Sequence, residues 1–360
     1  MNKVLKIKIY IIFFIYVLMN LNVYANIKLD LLYTFNLKND EIIFTGEEKF
    51  YIINKKSLYE ADGINLVKVF SNINGITGIL FNSDVLVIFN TSEIFVLNRC
   101  DKRLLWNKQI NGTITSTPLL TEKTLFLDKN ANILIAFDIF TGSIIWKFEA
   151  DLLNFTYLTN SKILHTEEYV VYLLANAKII LLSKDTGRKM KTSNIMHKNF
   201  IGDIYSKMSI FKTLMYDNML YVLYDNGLFF IFDLSLGDVV YKSFNFNYND
   251  FLIYKNSVIF LFKNNNVSAY NKFNMEFIWS LSFLKFNSNL DKLILINKYL
   301  ALTYSLNGVL YFIDLKKHEI IHKDFLKKIF IKKIFFDESN KILWVCSKNN
   351  KISLFKIDNV

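Results

Sequence analysis

The sequence predicts an all-β chain, an eight-bladed β-propeller of four-stranded antiparallel blades closed by its own N-terminal segment. Three observations predict it. Apolar runs of four to six residues, rich in Ile, Leu and Phe, alternate with clusters of Asn, Asp and Gly, the pattern of short strands joined by tight turns. An anchor residue closing a strand recurs at intervals of 38 to 50 residues, usually with a bulky side chain eight positions later. The repeat fills the chain end to end, so 360 residues that would allow two domains read as one, residues 26–360. A four-stranded unit at this period is the signature of blades in radial array.

In chain order, residues 1–25 read as a secretory leader. Lys3, Lys6 and Lys8 precede the apolar run Ile9–Met19, and Val23-Tyr24-Ala25 offers a small-residue cleavage site. A bilayer span needs about 20 apolar residues, and this run is too short. The mature chain is therefore expected outside the cytoplasm, beginning near Asn26. Ile27–Phe35 is apolar and loosely alternating, and the chain ends soon after its last hairpin. An unpaired sheet edge invites association, so this segment is expected to supply the fourth strand of the last blade.

The hairpins follow. Ile42–Phe44 with Lys49–Ile53 places a first anchor at Asn54, and Val85–Phe89 with Ile94–Leu97 a second at Asn98. The clearest unit is Thr115–Glu149: Pro118–Leu120, Thr124–Leu127, Ile133–Phe137 and Ser143–Phe148, anchored at Asp138. Pro118, the chain's one proline, suits an innermost edge strand because it cannot donate to a ladder. Later hairpins place anchors at Ser183, Asp233, Asn271, Asp314 and Lys356.

The turns carry their own chemistry. In the Asp138-Ile139-Phe140-Thr141-Gly142 turn, Asp138 can accept bonds from backbone just ahead, and Gly142 supplies a positive φ. Gly187 and Gly237 occupy the same place in their units. Trp106, Trp146, Tyr241 and Trp279 fall eight residues after their anchors, with Lys191 the exception, and the three tryptophans are expected to wedge between blades.

Formal charge is +11, with the lysine excess read as distributed along every blade rather than clustered as a nucleic-acid footprint would be. Cys100 and Cys346 lie in different units and are expected to stay unpaired. His318 and His322 are four apart without a third ligand, and read as surface residues. No Gly-rich phosphate loop or Gly-x-Ser-x-Gly elbow occurs.

The pattern Ala136–Trp146, with degenerate copies ending at Trp106, Tyr241 and Trp279, resembles the repeat of PQQ-type eight-bladed propellers. Within these the chain is most similar to the BamB family, in its length, the hairpin Leu220–Asp233 and the C-terminal stretch Lys341–Lys356. That resemblance implies a non-catalytic periplasmic scaffold, associated peripherally with the outer membrane, whose protein partner is a component of the barrel-assembly machinery. It implies no cofactor and no metal. That family typically carries a lipid-bearing cysteine, and none follows the apolar core here. Its partner-contacting arginine and aspartates find no matching residues, so none are carried over. Exposed aromatics on the two longest connections, Phe155, Tyr157, Phe200 and Tyr205, are the expected partner surface, with Asn226 on the opposite rim. The alternatives are a PQQ-dependent dehydrogenase-like quinoprotein, which would need a calcium site, or a secreted propeller binding another protein.

Overall fold

The computed structural model describes residues 27–36, 41–44, 50–54, 56–62, 65–71, 73–151, 161–174, 176–195, 209–243, 247–283 and 289–358. The leader read in residues 1–25 lies outside them. So do Phe155, Tyr157, Phe200 and Tyr205.

Among the described residues the secondary structure is all β. Strand β1 is Lys28–Asn36. Blade one is β2 (Glu41–Phe44), β3 (Phe50–Asn54), β4 (Ser57–Asp62) and β5 (Asn65–Ser71). Blade two is β6 (Gly78–Phe81), β7 (Val85–Phe89), β8 (Glu93–Asn98) and β9 (Leu104–Gln109). Blade three is β10 (Leu119–Leu120), β11 (Thr124–Lys129), β12 (Ile133–Asp138) and β13 (Ile144–Glu149). Blade four is β14 (Lys162–His165), β15 (Tyr169–Leu173), β16 (Lys178–Ser183) and β17 (Lys189–Asn194). Blade five is β18 (Ile210–Tyr216), β19 (Met219–Tyr224), β20 (Phe229–Asp233) and β21 (Asp238–Ser243). Blade six is β22 (Tyr248–Tyr254), β23 (Ser257–Phe262), β24 (Asn266–Asn271) and β25 (Phe277–Ser282). Blade seven is β26 (Leu290–Asn297), β27 (Leu300–Ser305), β28 (Val309–Asp314) and β29 (Glu319–Phe325). Blade eight is β30 (Ile331–Asp337), β31 (Ile342–Ser347) and β32 (Lys351–Asp358), completed by β1. Every pairing is antiparallel, as in the eight-bladed propeller read from the sequence.

The chain divides into two compact units. One is Asp40–Asn247 with Phe273–Met275, holding blades one to five. The other is Met1–Asn39, Tyr248–Lys272 and Glu276–Val360, holding blades six to eight.

Within each unit the core lies between successive blades. Strand β7 reads Val-Leu-Val-Ile-Phe with every residue buried. Val85, Val87 and Phe89 pack toward blade three, while Leu86 and Ile88 pack toward blade one. A strand covered on both faces has no polar alternation, so the sequence shows continuous apolar runs. In the smaller unit, one cluster joins Leu302, Tyr304 and Phe312 of blade seven to Ile331, Val345 and Phe355 of blade eight.

Two sequence expectations shift. In blade one, Ile42–Phe44 and the strand near residue 50 are the first and second strands, so the third strand ends at Asp62 and not at the Asn54 anchor. Pro118 precedes the first strand of blade three, which is only Leu119–Leu120, because proline has no N–H for the ladder. As expected, β1 pairs with β32, from Lys28↔Asp358 to Asn36↔Lys351. Blade one keeps a separate first strand, β2.

The last strand of every blade carries an irregularity the sequence did not reveal. One extra residue interrupts its pairing in each: Val69, Leu105, Ile145, Met190, Val240, Ile278, Ile321 and, in β1, Leu32. All eight are apolar. A bulge bends an edge strand and increases its twist, which makes the edge a poor template for another strand.

Candidate functional site

The repeated turn is built around Asp138. Its Oδ1 accepts bonds from the backbone N–H groups of Phe140 (3.1 Å) and Thr141 (2.8 Å) and from Thr141 Oγ1 (2.8 Å). The Thr141 bonds, which favour the carboxylate, hold Asp138 below its ordinary pKa. Gly142 closes the turn at φ 71°, donating to Asp138 O at 2.9 Å.

The bareness of Gly142 matters because Trp106 of the preceding blade lies over it. A Cβ there would meet the indole at 2.7 Å, and Trp106 Nε1 donates to Ile139 O at 2.8 Å. Trp146 repeats this one blade on, over Gly187 and donating to Lys184 O at 2.9 Å. Lys191 then does the same work without a ring. Its methylene chain lies over Gly237, and its Nζ donates to Leu236 O at 2.5 Å.

Non-glycine residues hold the same turn position elsewhere. His318 adopts φ 58° and stacks on Trp279 with centroids 5.0 Å apart. His322 instead packs on Phe312, because the extra residue Ile321 breaks the alternation between the two histidines. They do not share a face; His318 is exposed, in line with the surface reading, while His322 is half-buried, and both contact aromatic rings. Lys102, at φ 60°, reaches back 2.6 Å to Glu60 Oε2 of blade one, an ion pair that joins the same two blades as the Phe70–Phe95 ring contact, centroids 5.7 Å apart. Tyr241 packs on Phe229 within its own blade, centroids 6.3 Å apart.

A buried polar cluster joins blades three and four. Asp128 accepts bonds from Thr115 Oγ1 (2.9 Å), Tyr172 OH (2.7 Å) and Ser161 Oγ. Burial raises the Asp128 pKa above the usual carboxylate range, and the three hydroxyls only partly offset that. Burial, then the Asp128 charge, raises Tyr172. The donors all serve Asp128, and the arrangement ties two blades together.

An open cleft of about 600 Å³ lies between blades four and five. Glu167, Glu168 and Tyr169 line one side, with Tyr216, Asp217 and Ser235 on the other. Tyr169 is raised by its hydrogen bond to Glu168. Sequence reasoning missed this cleft because its residues come from three separate turns. Among the described residues, no three His, Cys, Asp or Glu side chains converge as metal ligands.

Asn226 is expected on the rim opposite the 196–208 connection, whose residues lie outside the described ones. Its neighbour Asp225 exchanges bonds with Ser209, its Oδ1 accepting from Ser209 N at 3.0 Å and its own N donating to Ser209 O at 3.0 Å. The hairpin tip therefore sits beside Ser209, where the described chain resumes. The opposite ends of the blades carry turns such as Leu234–Gly237, where Leu234 N bonds Asn218 O at 2.9 Å.

Four-stranded blades whose third and fourth strands meet in turns of the Asp138–Gly142 kind, with Trp106 and Trp146 each lying over the turn of the next blade, define a PQQ-type repeat propeller. The chain belongs to the family described as outer membrane protein assembly factor BamB, whose model matches residues 57–281. Among solved structures, BamB from Moraxella catarrhalis superposes with a TM-score of 0.70 at 17% identity, covering 91% of this chain and 100% of that one. Sqt1 from Saccharomyces cerevisiae gives 0.66 at 10% identity, covering 91% and 98%. The computationally designed Ika8 protein gives 0.65 at 11%, covering 88% and 95%. At such identities the likeness is one of fold. No curated protein sequence matches the chain.

Proposed function

We propose that this chain is a non-catalytic periplasmic scaffold that assists the assembly of β-barrel proteins into the outer membrane. The observation that carries the reading is the family match across residues 57–281, from the third strand of blade one nearly to the end of blade six. Scaffolding asks for a rigid body with exposed loops, and the turn-and-wedge contacts between blades supply rigidity. The leader in residues 1–25 would deliver the chain to that compartment. The proposed contact surface is the pair of long connections that carry Phe155, Tyr157, Phe200 and Tyr205.

The test is cross-linked capture from envelope fractions. Tyr157→Ala and Tyr205→Ala are expected to reduce recovery of a barrel-assembly protein without moving the melting temperature. Leu236→Ser, at the other end of the blades, is expected to leave recovery unchanged. Capture that is indifferent to both tyrosines, or absent altogether, overturns the reading. The shared turn repeat also favours a second reading, a quinoprotein dehydrogenase. Oxidation of alcohols or sugars on addition of pyrroloquinoline quinone and calcium would establish it in place of the first.

A further inference from the structure

The positive charge is uneven once the strands are placed. Residues 289–358 hold thirteen lysines against seven acidic residues, so blades seven and eight carry most of the excess that the sequence reading spread over all of them. One rim concentrates it. The connection from β29 to β30 is pinned along its length: Leu326 N donates to Gly308 O (2.9 Å), Ile331 N to Leu306 O (2.8 Å) and Lys348 N to Phe330 O (2.8 Å). Ile329 N closes a turn onto Leu326 O at 3.2 Å, with Lys328 at φ 63°. The hairpin tip presses on this turn so closely that a Cβ on Gly308 would stand 2.6 Å from Ile329 O.

This fixed bracket presents Phe330, 54% exposed, beside the exposed Lys327, Lys328 and Lys332. The Lys348–Phe330 bond brings alongside the β31–β32 tip, where Lys348 and Lys351 are also exposed. Phe325, at the end of β29, is 53% exposed. None of these five lysines makes an ion pair among the described residues. The crowding reaches Lys333, whose ammonium is lowered by burial and then by repulsion from Lys292 and Lys332.

We propose that this rim docks on the surface of an anionic phospholipid membrane, with Phe330 entering the headgroup boundary and the lysines meeting lipid phosphates. An exposed apolar ring held on a pinned turn and ringed by lysines suits a fluid anionic interface. Lysines around it add attraction to an anionic leaflet, and their methylene stems can lie along the boundary while the ammonium groups stay in water. The inference goes beyond the assembly role and does not depend on it.

The experiment is co-sedimentation of the mature chain with vesicles of phosphatidylcholine alone, or of phosphatidylcholine with phosphatidylglycerol, at low and high salt. Binding is expected only to the anionic vesicles and is expected to weaken with salt. The double change Lys327→Glu with Lys328→Glu should weaken it about tenfold or more. Phe330→Ser should weaken it about threefold or more with an unchanged melting temperature, as its exposed ring contributes little to folding. Lys147→Glu, on blade three, should change nothing. Equal binding to both vesicle types, or binding indifferent to the Lys327, Lys328 and Phe330 changes, overturns the proposal. So does tight binding of a single-stranded oligonucleotide or tripolyphosphate without vesicle binding, which would make the rim a soluble-polyanion site.

Discussion

Lys191 defines what the position over the repeated turn requires. It serves where tryptophan serves in neighbouring blades, so the need is for an extended apolar surface over a bare α-carbon and a donor for the turn's carbonyl. Tryptophan advertises that role in a sequence; lysine does not. Gly187→Ala should therefore cost more than strain alone, since φ 67° is unfavourable for alanine and its Cβ would meet Trp146 at 2.5 Å. Gly75→Ala is the comparison, with φ 63° but nothing within 4 Å. Denaturant titration is expected to show a loss of about 1 kcal/mol for Gly75→Ala, and about 1–3 kcal/mol more for Gly187→Ala. Equal losses would mean that the indole moves aside freely. Asp128 gives a second expectation at this scale, in pH. Its folded pKa lies above an unfolded value of about 3.9, so between the two the native state holds the extra proton. Stability from this group is therefore present at low pH and is lost as pH rises through that window. Compared with Asp128→Asn, the parent chain should lose stability as pH rises from about 3.9 through the raised folded value; a constant difference would refute the sign.

At the scale of elements, the strands most legible in the sequence are the second and third of each blade. They are buried on both faces and appear as unbroken apolar runs, as in β7 and β20. Blade one was displaced by one strand because its last strand carries Phe70 beside the bulge where other blades carry tryptophan, and the facing turn carries Lys102 in place of glycine, so neither marks the register. The bulges were hidden for a different reason. An extra apolar residue beside a tryptophan reads as more strand, and only the pairing Ala136↔Trp146 followed by Phe137↔Ile144 reveals that Ile145 has no partner. The two neighbours should respond oppositely to substitution. Ile145 is 47% exposed, so Ile145→Lys is expected to stay within about 0.5 kcal/mol of the parent in thermal unfolding. Trp146 is 7% exposed, and Trp146→Ala should cost about 3–5 kcal/mol. A large loss for Ile145→Lys would show that the extra residue packs rather than bends the edge.

At the scale of the whole molecule, the repeat made the fold readable, whereas binding surfaces arise where the repeat fails. The lysine rim was invisible for that reason: lysines occur throughout the sequence, and only the pairing of β31 with β32 and the Lys348–Phe330 bond bring residues 348 and 351 beside 327 and 328. The pairing of the chain's two ends has a sharper consequence. Strand β1 covers the edge of β32, Ile27 and Leu29 pack into the cluster between blades seven and eight, and Cys346 lies buried in the neighbouring β31. Burial pushes the Cys346 thiol up to about 12, with Lys333 and Lys332 pulling partly the other way, while Cys100 is exposed. Only the thiolate reacts, so in the native chain maleimide should label Cys100 quickly and Cys346 only on unfolding. Removing residues 28–36 would unpair one edge of β32, withdraw half-buried Leu29 and release Ile27, whose full burial is worth about 1.5–3 kcal/mol. The shortened chain is expected to melt lower and to label Cys346 about tenfold faster or more, because loss of a few kcal/mol raises the open population by at least that factor. If Cys346 stays as protected as in the full chain, β1 is an appendage on the last blade and not what holds it shut.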